Sequence, residues 1–184
     1  MQTDEQLVDA SLNGIDTAFE ELVVRYQERL LRFLLTRSAT REDAEDAIQD
    51  TFISAHRYLH SFNPRWQFST WLYRIALRNI AKQSQRISNS GEDVDLIEAQ
   101  GGDPLQDCLA ASELSNVWLT AKQVLPDDAY SAMWLRYVED MPVKEVARSL
   151  DKTVSWAKVT LMRGRQRLEA ELSVPEAARK QRFG

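Results

Sequence analysis

Apolar residues recur every three or four positions through almost the whole chain, and no apolar–polar alternation lasts long enough to make a half-buried strand. An all-α fold follows. The period lapses once, over residues 87–113, where Ser88, Asn89, Ser90, Gly91, Gly101, Gly102 and Pro104 gather and seven acids stand without a base. That composition buries too little apolar surface to offset the entropy of ordering it, so the segment reads as an acidic, flexible linker. At 184 residues and 43% apolar, the chain can fill one ordinary core or two small ones. With the lapse in the middle, we expect two small helical domains, over residues 1–86 and 114–173, and a mobile basic tail over 174–184.

Start and stop signals divide the first half into four helices. Thr3 with Gln6 has capping-box spacing, Gly14 is a stop, and Asp16 is the next N-cap candidate. Ala18, Phe19, Leu22, Val23, Tyr26, Leu30, Phe33 and Leu34 then share one face of a helix ending near Arg37 or Ser38. Thr40 is placed to cap a third helix, with Ala44, Ala47, Ile48, Thr51, Phe52, Ala55, Tyr58 and Leu59 on its buried stripe. Asn63-Pro64 disfavours helix at Asn63. A fourth helix, capped at Ser69 or Thr70, buries Trp71, Leu72, Ile75, Ala76 and Ile80.

In the second half the period resumes at Leu114, Val117, Trp118 and Ala121, pauses at Pro126, and continues through Ala129, Met133, Trp134 and Tyr137. Two shorter helices follow, faced by Val143, Val146, Ala147 and Leu150 and then by Val154, Ala157, Leu161 and Leu168. The short turn between them suits a helix-turn-helix, and Asp151 within it tolerates left-handed backbone. Gly164 interrupts the last helix at a cost of about 0.5–1 kcal/mol relative to Ala, for no reason visible in the sequence.

The net charge of -5 conceals two basic islands. Residues 51–91 carry six bases and no acid, and residues 142–169 carry seven bases and three acids. In the first island Arg74, Arg78, Lys82 and Arg86 stand four apart, one turn above another. Like charges at that spacing repel by a few tenths of a kcal/mol per pair. A merely solvated helix face would be relieved by nearby acids, and none is present, so the ridge reads as a track for phosphates. Phe62, Trp66, Phe68, Trp71 and Tyr73 lie in or beside the preceding loop. Unpaired bases stack on such rings for about 1–3 kcal/mol each. Phe68 and Trp71 also continue the buried stripe, whereas Phe62 and Trp66 sit in a polar loop. Cations beside rings point to single-stranded or opened DNA.

In the second island the second helix of a helix-turn-helix would enter the major groove, its N-terminal residues meeting base edges. Lys152, Ser155, Trp156, Lys158, Val159 and Thr160 lie at or near that end, and Arg163, Arg165 and Arg167 follow. The cluster "REDAEDAIQD" partly complements a helix N-terminus, but Asp50 lies too far along for that. With Asp46, Gln49 and Phe52 it reads as a docking surface for a protein.

Other functions find little support. Cys108 is alone, and His56 and His60 offer no metal spacing with it, so neither a disulfide nor a metal site is expected. No nucleophile, base and orienter are grouped, so we expect neither an enzyme nor a cofactor nor a small-molecule substrate. The N-terminal stretch is acidic and no apolar run spans a bilayer, which makes a cytoplasmic protein without direct membrane insertion the expectation.

Together these segments resemble the extracytoplasmic-function (ECF) group of bacterial sigma factors, of the sigma-70 family. "GIDTAFEELVVRYQERLLRF", "REDAEDAIQDTFISAHRYLHSF" and "FSTWLYRIALRNIAK" are similar to consecutive helices of the family's promoter-melting domain, region 2. "LPDDAYSAMWLRYVEDMPVKEVARSLDKTVSWAKVTLMRGRQRL" is similar to its helix-turn-helix domain, region 4. The resemblance implies a protein that binds core RNA polymerase and directs promoter-specific initiation, on an alternative or stress-responsive regulon, with promoter DNA both double- and single-stranded as partner. Asp46, Gln49, Asp50 and Phe52 would dock on the clamp helices of the largest polymerase subunit, and region 4 near the flap region. The loop from Ser61 to Phe68, with Phe62, Asn63, Arg65 and Trp66, would capture a base flipped from the minus-ten element. Arg74, Arg78, Asn79 and Lys82 would follow its upstream edge. The helix from Ser155 to Arg167 would read the minus-thirty-five element, and the linker would run through the RNA exit path. An anti-sigma factor, often membrane-held, is the implied regulator of a cytoplasmic, nucleoid-associated protein.

The chain departs from the family where Gly-Thr-Val-Lys-Ser-Arg-Leu is frequent: here stand Ser155, Trp156, Ala157, Lys158, Val159, Thr160 and Leu161. Pro142 replaces a usual Ser cap and is tolerated in a first helical turn. The alternative reading is a helix-turn-helix regulator that binds duplex operators, often as a symmetric dimer, without recruiting polymerase.

Overall fold

The computed structural model describes the backbone of residues 2–38, 40–89 and 113–173, and the side chains within 2–38, 40–82 and 117–173. Among these residues there are eight α-helices, a single turn of 3-10 helix and no strand. The chain divides into two compact units, Met1–Pro104 and Leu105–Gly184. Helix continues to Asn89 and resumes at Glu113, so both ends of the expected linker are helical. The rest of that linker with its acids and Cys108, the tail, and the side chain of Arg86 lie outside the described residues.

The first unit holds α1 (Asp4–Leu12), α2 (Asp16–Leu35), α3 (Arg41–Arg57), the 3-10 turn Leu59–Ser61 and α4 (Phe68–Asn89). The Thr3 hydroxyl accepts from the Gln6 N–H at 3.3 Å while Gln6 accepts from the Thr3 N–H at 2.9 Å, closing the expected capping box. Thr40 and Asp43 form a second one at the head of α3. Gly14 ends the first helical segment at φ 87°, where a side chain would be strained.

Three boundary expectations are corrected. Ile15, not Asp16, occupies the N-cap position of α2; Asp16 is the first helical residue, where its charge meets the positive end of the helix. Ser69 and Thr70 do not cap α4, which begins at Phe68 and buries both in its first turn. Tyr58 is 51% exposed because α3 ends one residue earlier and the 3-10 turn carries the ring off the stripe.

The core takes Leu7 and Val8 from α1, Phe19, Leu22, Tyr26, Leu30, Phe33 and Leu34 from α2, and Leu72, Tyr73, Ala76 and Ile80 from α4. Each large apolar side chain fully buried contributes about 1.5–3 kcal/mol. The buried positions of α3 are small, Ala44, Ala47, Thr51 and Ala55, which lets its backbone approach α2 and α4 closely. Thr51 donates to the Ala47 carbonyl at 2.6 Å, so its buried hydroxyl is satisfied. Asp4 ties α1 down by accepting from both the Arg25 guanidinium and the Tyr26 hydroxyl. Burial, reinforced by the bond to Asp4, raises the Tyr26 pKa well above its ordinary value.

The second unit holds α5 (Glu113–Val124), α6 (Asp127–Tyr137), α7 (Val143–Ser149) and α8 (Val154–Leu172). Trp118, Tyr130 and Trp134 form an aromatic cluster with centroids 5.0–6.1 Å apart. Pro142 sits just ahead of α7, in the N-cap position rather than in the first turn, and supplies no side-chain cap. Gly164 now has its reason: a Cβ there would lie 3.1 Å from the Met133 sulfur, so α6 and α8 touch across a position with no side chain.

Candidate nucleic-acid interfaces

In the first unit, the loop between the 3-10 turn and α4 folds around Asn63-Pro64. The Asn63 side chain accepts from the Arg65 N–H at 3.0 Å, and its carbonyl from the Trp66 N–H at 3.1 Å. Beneath it lies a column of rings. Phe62 meets Phe68 at 5.8 Å and Trp71 at 5.7 Å, and Phe68 meets Tyr26 at 5.4 Å. Phe68 has 0% of its surface exposed, so it carries the loop and offers no face to a base. Phe62 and Trp66 are half-buried, and Ser61, Asn63 and Arg65 are exposed.

The cationic ridge runs up α4 from this loop. Arg78 and Lys82 are exposed and Arg74 is half-buried, over a rise of about 12 Å from Arg74 to Lys82. Asn79 lies beside them, half-buried, its amide nitrogen without a protein partner. On α3, Asp46, Gln49 and Asp50 are exposed along one face and Phe52 is half-buried. That face continues to Ile53, which is 57% exposed and which sequence reasoning missed. Its signal was position: it stands three and four residues beyond two of the acceptors, with no core residue in step.

In the second unit, α7 and α8 are joined by Leu150 to Thr153. Asp151 takes the left-handed conformation at φ 54°, the Lys152 N–H reaches back to the Ala147 carbonyl at 2.8 Å, and the Thr153 hydroxyl caps α8 through the Trp156 N–H at 3.1 Å. Ala157, Leu161, Gly164 and Leu168 face inward. At about 100° per residue the opposite strip is Ser155, Val159, Met162 and Gln166. Lys158 and Arg165 flank it on one side, with Trp156, Arg163 and Arg167 on the other. All are exposed except half-buried Trp156, and Thr160, behind Arg163, is also half-buried. Met162, 47% exposed, is a second residue that sequence reasoning missed. The arrangement is a strip with an apolar middle, Val159 and Met162, between two cationic rails, which suits a groove with phosphates on both walls and methyl groups on its floor. Among the described residues there is no group of three or more side chains placed to hold a metal, and no helix long and apolar enough to cross a membrane.

Residues 22–88 match the family model for sigma-70 region 2, and residues 116–168 the model for sigma-70 region 4. The chain is 34% identical to the ECF RNA polymerase sigma-E factor of Haemophilus influenzae, over 92% of this chain and 95% of that protein. It is also 34% identical to the ECF RNA polymerase sigma-E factor of Escherichia coli K12, over 91% and 93%. In fold it is similar to the sigma factor RpoE of Bartonella quintana, solved with the anti-sigma factor NepR: TM-score 0.70, 22% identity, 86% of this chain and 98% of that one. It is likewise similar to CnrH, solved with the cytosolic domain of CnrY: TM-score 0.67, 22% identity, 93% and 97%.

Proposed function

Because this chain belongs to the ECF sigma factors of the sigma-70 family and so directs RNA polymerase to promoters, we propose a division of that work between its two units. The first docks on the clamp helices of the largest polymerase subunit through Asp46, Gln49, Asp50 and Phe52, with Ile53 adding apolar area to the same face. Its loop, through Ser61, Phe62, Asn63, Arg65 and Trp66, holds an unpaired base of the minus-ten element, with Phe68 as the support beneath. Arg74, Arg78, Asn79 and Lys82 follow the adjoining backbone. The second unit lays α8 in the major groove of the minus-thirty-five element and lies against the flap region.

The observation that carries this reading is the pairing of a ring-supported loop with an acid-free cationic ridge on α4. Phosphates and unstacked bases are the one ligand that needs both. The factor works by binding rather than by chemistry. Two structures similar in fold were solved with a partner chain, the anti-sigma factor NepR in one and the cytosolic domain of CnrY in the other. That supports an anti-sigma factor covering the docking face or the basic surfaces, and holding the protein in the cytoplasm at the membrane when the partner is anchored there.

The test is transcription by sigma-free core polymerase on a genomic DNA library, with transcript starts mapped by sequencing. The protein should create new starts that share a two-part upstream motif. A folded protein and an active polymerase with no new starts would refute the reading.

A further inference from the structure

Lys152 is already engaged. Its ammonium lies 2.9 Å from Oδ2 of Asp128, in the first turn of α6, and 5.4 Å from the centroid of the Trp156 ring. The cation is held between a carboxylate and an indole, at the end of α8 that faces a groove. Near a helix N-terminus a lysine is disfavoured by the local dipole, and the Asp128 carboxylate offsets this. A phosphate that met Lys152 would share its charge with that carboxylate, so the pair as it stands adds little net positive charge to the groove face.

We propose that Asp128 and Lys152 are positioning residues that fix the Trp156 indole as the reader of a thymine 5-methyl group in the duplex. The proposal rests on the reading of α8 as the minus-thirty-five helix. Thymine carries the one apolar group on the major-groove floor, and an indole edge is an apolar partner for it. Trp156 is half-buried and its N–H is held by the Thr153 cap, so the backbone beneath the ring is set while its side chain would otherwise swing. A cation over a ring at the surface favours the held rotamer by about a two- to fivefold factor in population.

The experiment uses holoenzyme reconstituted with the wild type and with Asp128→Asn, Lys152→Met, Trp156→Ala and Arg163→Ala. Asp128 and Lys152 are exposed, and unchanged melting temperatures verify the fold. Each holoenzyme selects duplexes from a library randomised across the upstream element, and the salt dependence of binding to the winners is measured. The wild type should select a T·A pair at one position. That preference should fall about two- to fivefold in Trp156→Ala, Lys152→Met and Asp128→Asn alike. Deoxyuridine at that position should cost the wild type the same factor and Trp156→Ala nothing. Lys152→Met should keep the salt slope, whereas Asp128→Asn, which frees the lysine for phosphate, should steepen it by about 0.9. The proposal is overturned if Lys152→Met weakens all sequences equally and flattens the slope by about 0.9, which makes Lys152 a phosphate contact. It is also overturned if only Trp156→Ala changes the preference, or if the relaxed position is not thymine. If Trp156→Ala and Arg163→Ala both select like the wild type, the assignment of α8 itself fails.

Discussion

The two basic surfaces stand in opposite relation to the cores beneath them. In the first unit, rings run without a break from core to surface: Tyr26 meets Phe68, Phe68 meets Phe62 and Trp71, and the loop lies on top. In the second, Trp118, Tyr130 and Trp134 pack on one another, and the outward strip of α8 is borne by a helix whose inner face is made of small and aliphatic residues. If the loop holds a base and α8 reads a groove as proposed, stability and DNA contact share residues in the first unit and are separable in the second. Opening DNA requires a loop stiff enough to hold an extruded base, which favours a rigid support. Reading a groove requires only a straight helix.

The strongest way to break this contrast is Phe68→Ala. Removing a fully buried ring costs about 3–5 kcal/mol, and the loop loses its floor. Urea denaturation and promoter opening, followed by a fluorescent base analogue in the minus-ten region, should fail together, while upstream duplex binding by the second unit persists. Normal opening by a destabilised Phe68→Ala protein would separate what we have joined. Next in size is Gly164→Val, which forces a branched side chain against Met133 and should cost about 1–3 kcal/mol. Stability of the second unit should fall, yet the fraction still folded should keep its upstream affinity. A loss of affinity larger than the loss of folded protein would couple core and reading face there too.

Tyr26→Phe sharpens the first half of the comparison with a smaller effect, about 1 kcal/mol at pH 8 from the lost bond to Asp4. The folded-state pKa of Tyr26 is raised, so the unfolded chain releases its phenol proton first, near pH 10, while the folded state retains it. The stabilisation is complete below that pH and is lost as the pH climbs toward the folded-state value. The gap between wild type and Tyr26→Phe in urea titrations should thus close on the alkaline side. A gap constant from pH 8 to 11 would deny the phenol its role in this ring column.

The helical stripes were legible because burial on a helix imposes one period, and Leu22, Leu72 and Leu161 obey it. Helix starts were less legible: Asp16, Ser69 and Thr70 are all good capping types, and only the path of the preceding turn decides which is used. Ile53 and Met162 were invisible as surface groups because an apolar residue read in sequence is first assigned to a core. Gly164 and Lys152 were opaque for a different reason. Each is explained by one distant residue, Met133 and Asp128, that no local pattern pairs with it. For the site, the cations were legible as clusters, and the helical period alone already set Phe68 on the buried stripe and Phe62 in the loop. Phe62 and Phe68 are alike in composition and six residues apart, yet one lies in the loop and the other beneath it.

The smallest effect on folding, and the cleanest contrast with Phe68, belongs to Lys158→Ala. Lys158 is exposed beside the apolar strip of α8, off the buried face of that helix. Its loss should leave stability within about 0.5 kcal/mol of the wild type. If the side chain meets a phosphate, upstream binding should weaken by a similar factor on every sequence, and the salt slope should flatten by about 0.9. Arg78→Ala on α4, at a position that is also exposed, should do the same at the minus-ten element if its side chain follows the backbone there as proposed. Both surfaces would then share their electrostatic part and differ only in how rings support contact. A change of base preference in Lys158→Ala would instead place that ammonium on a base edge, and the cationic rail on its side of α8 would belong to readout rather than to phosphate tracking.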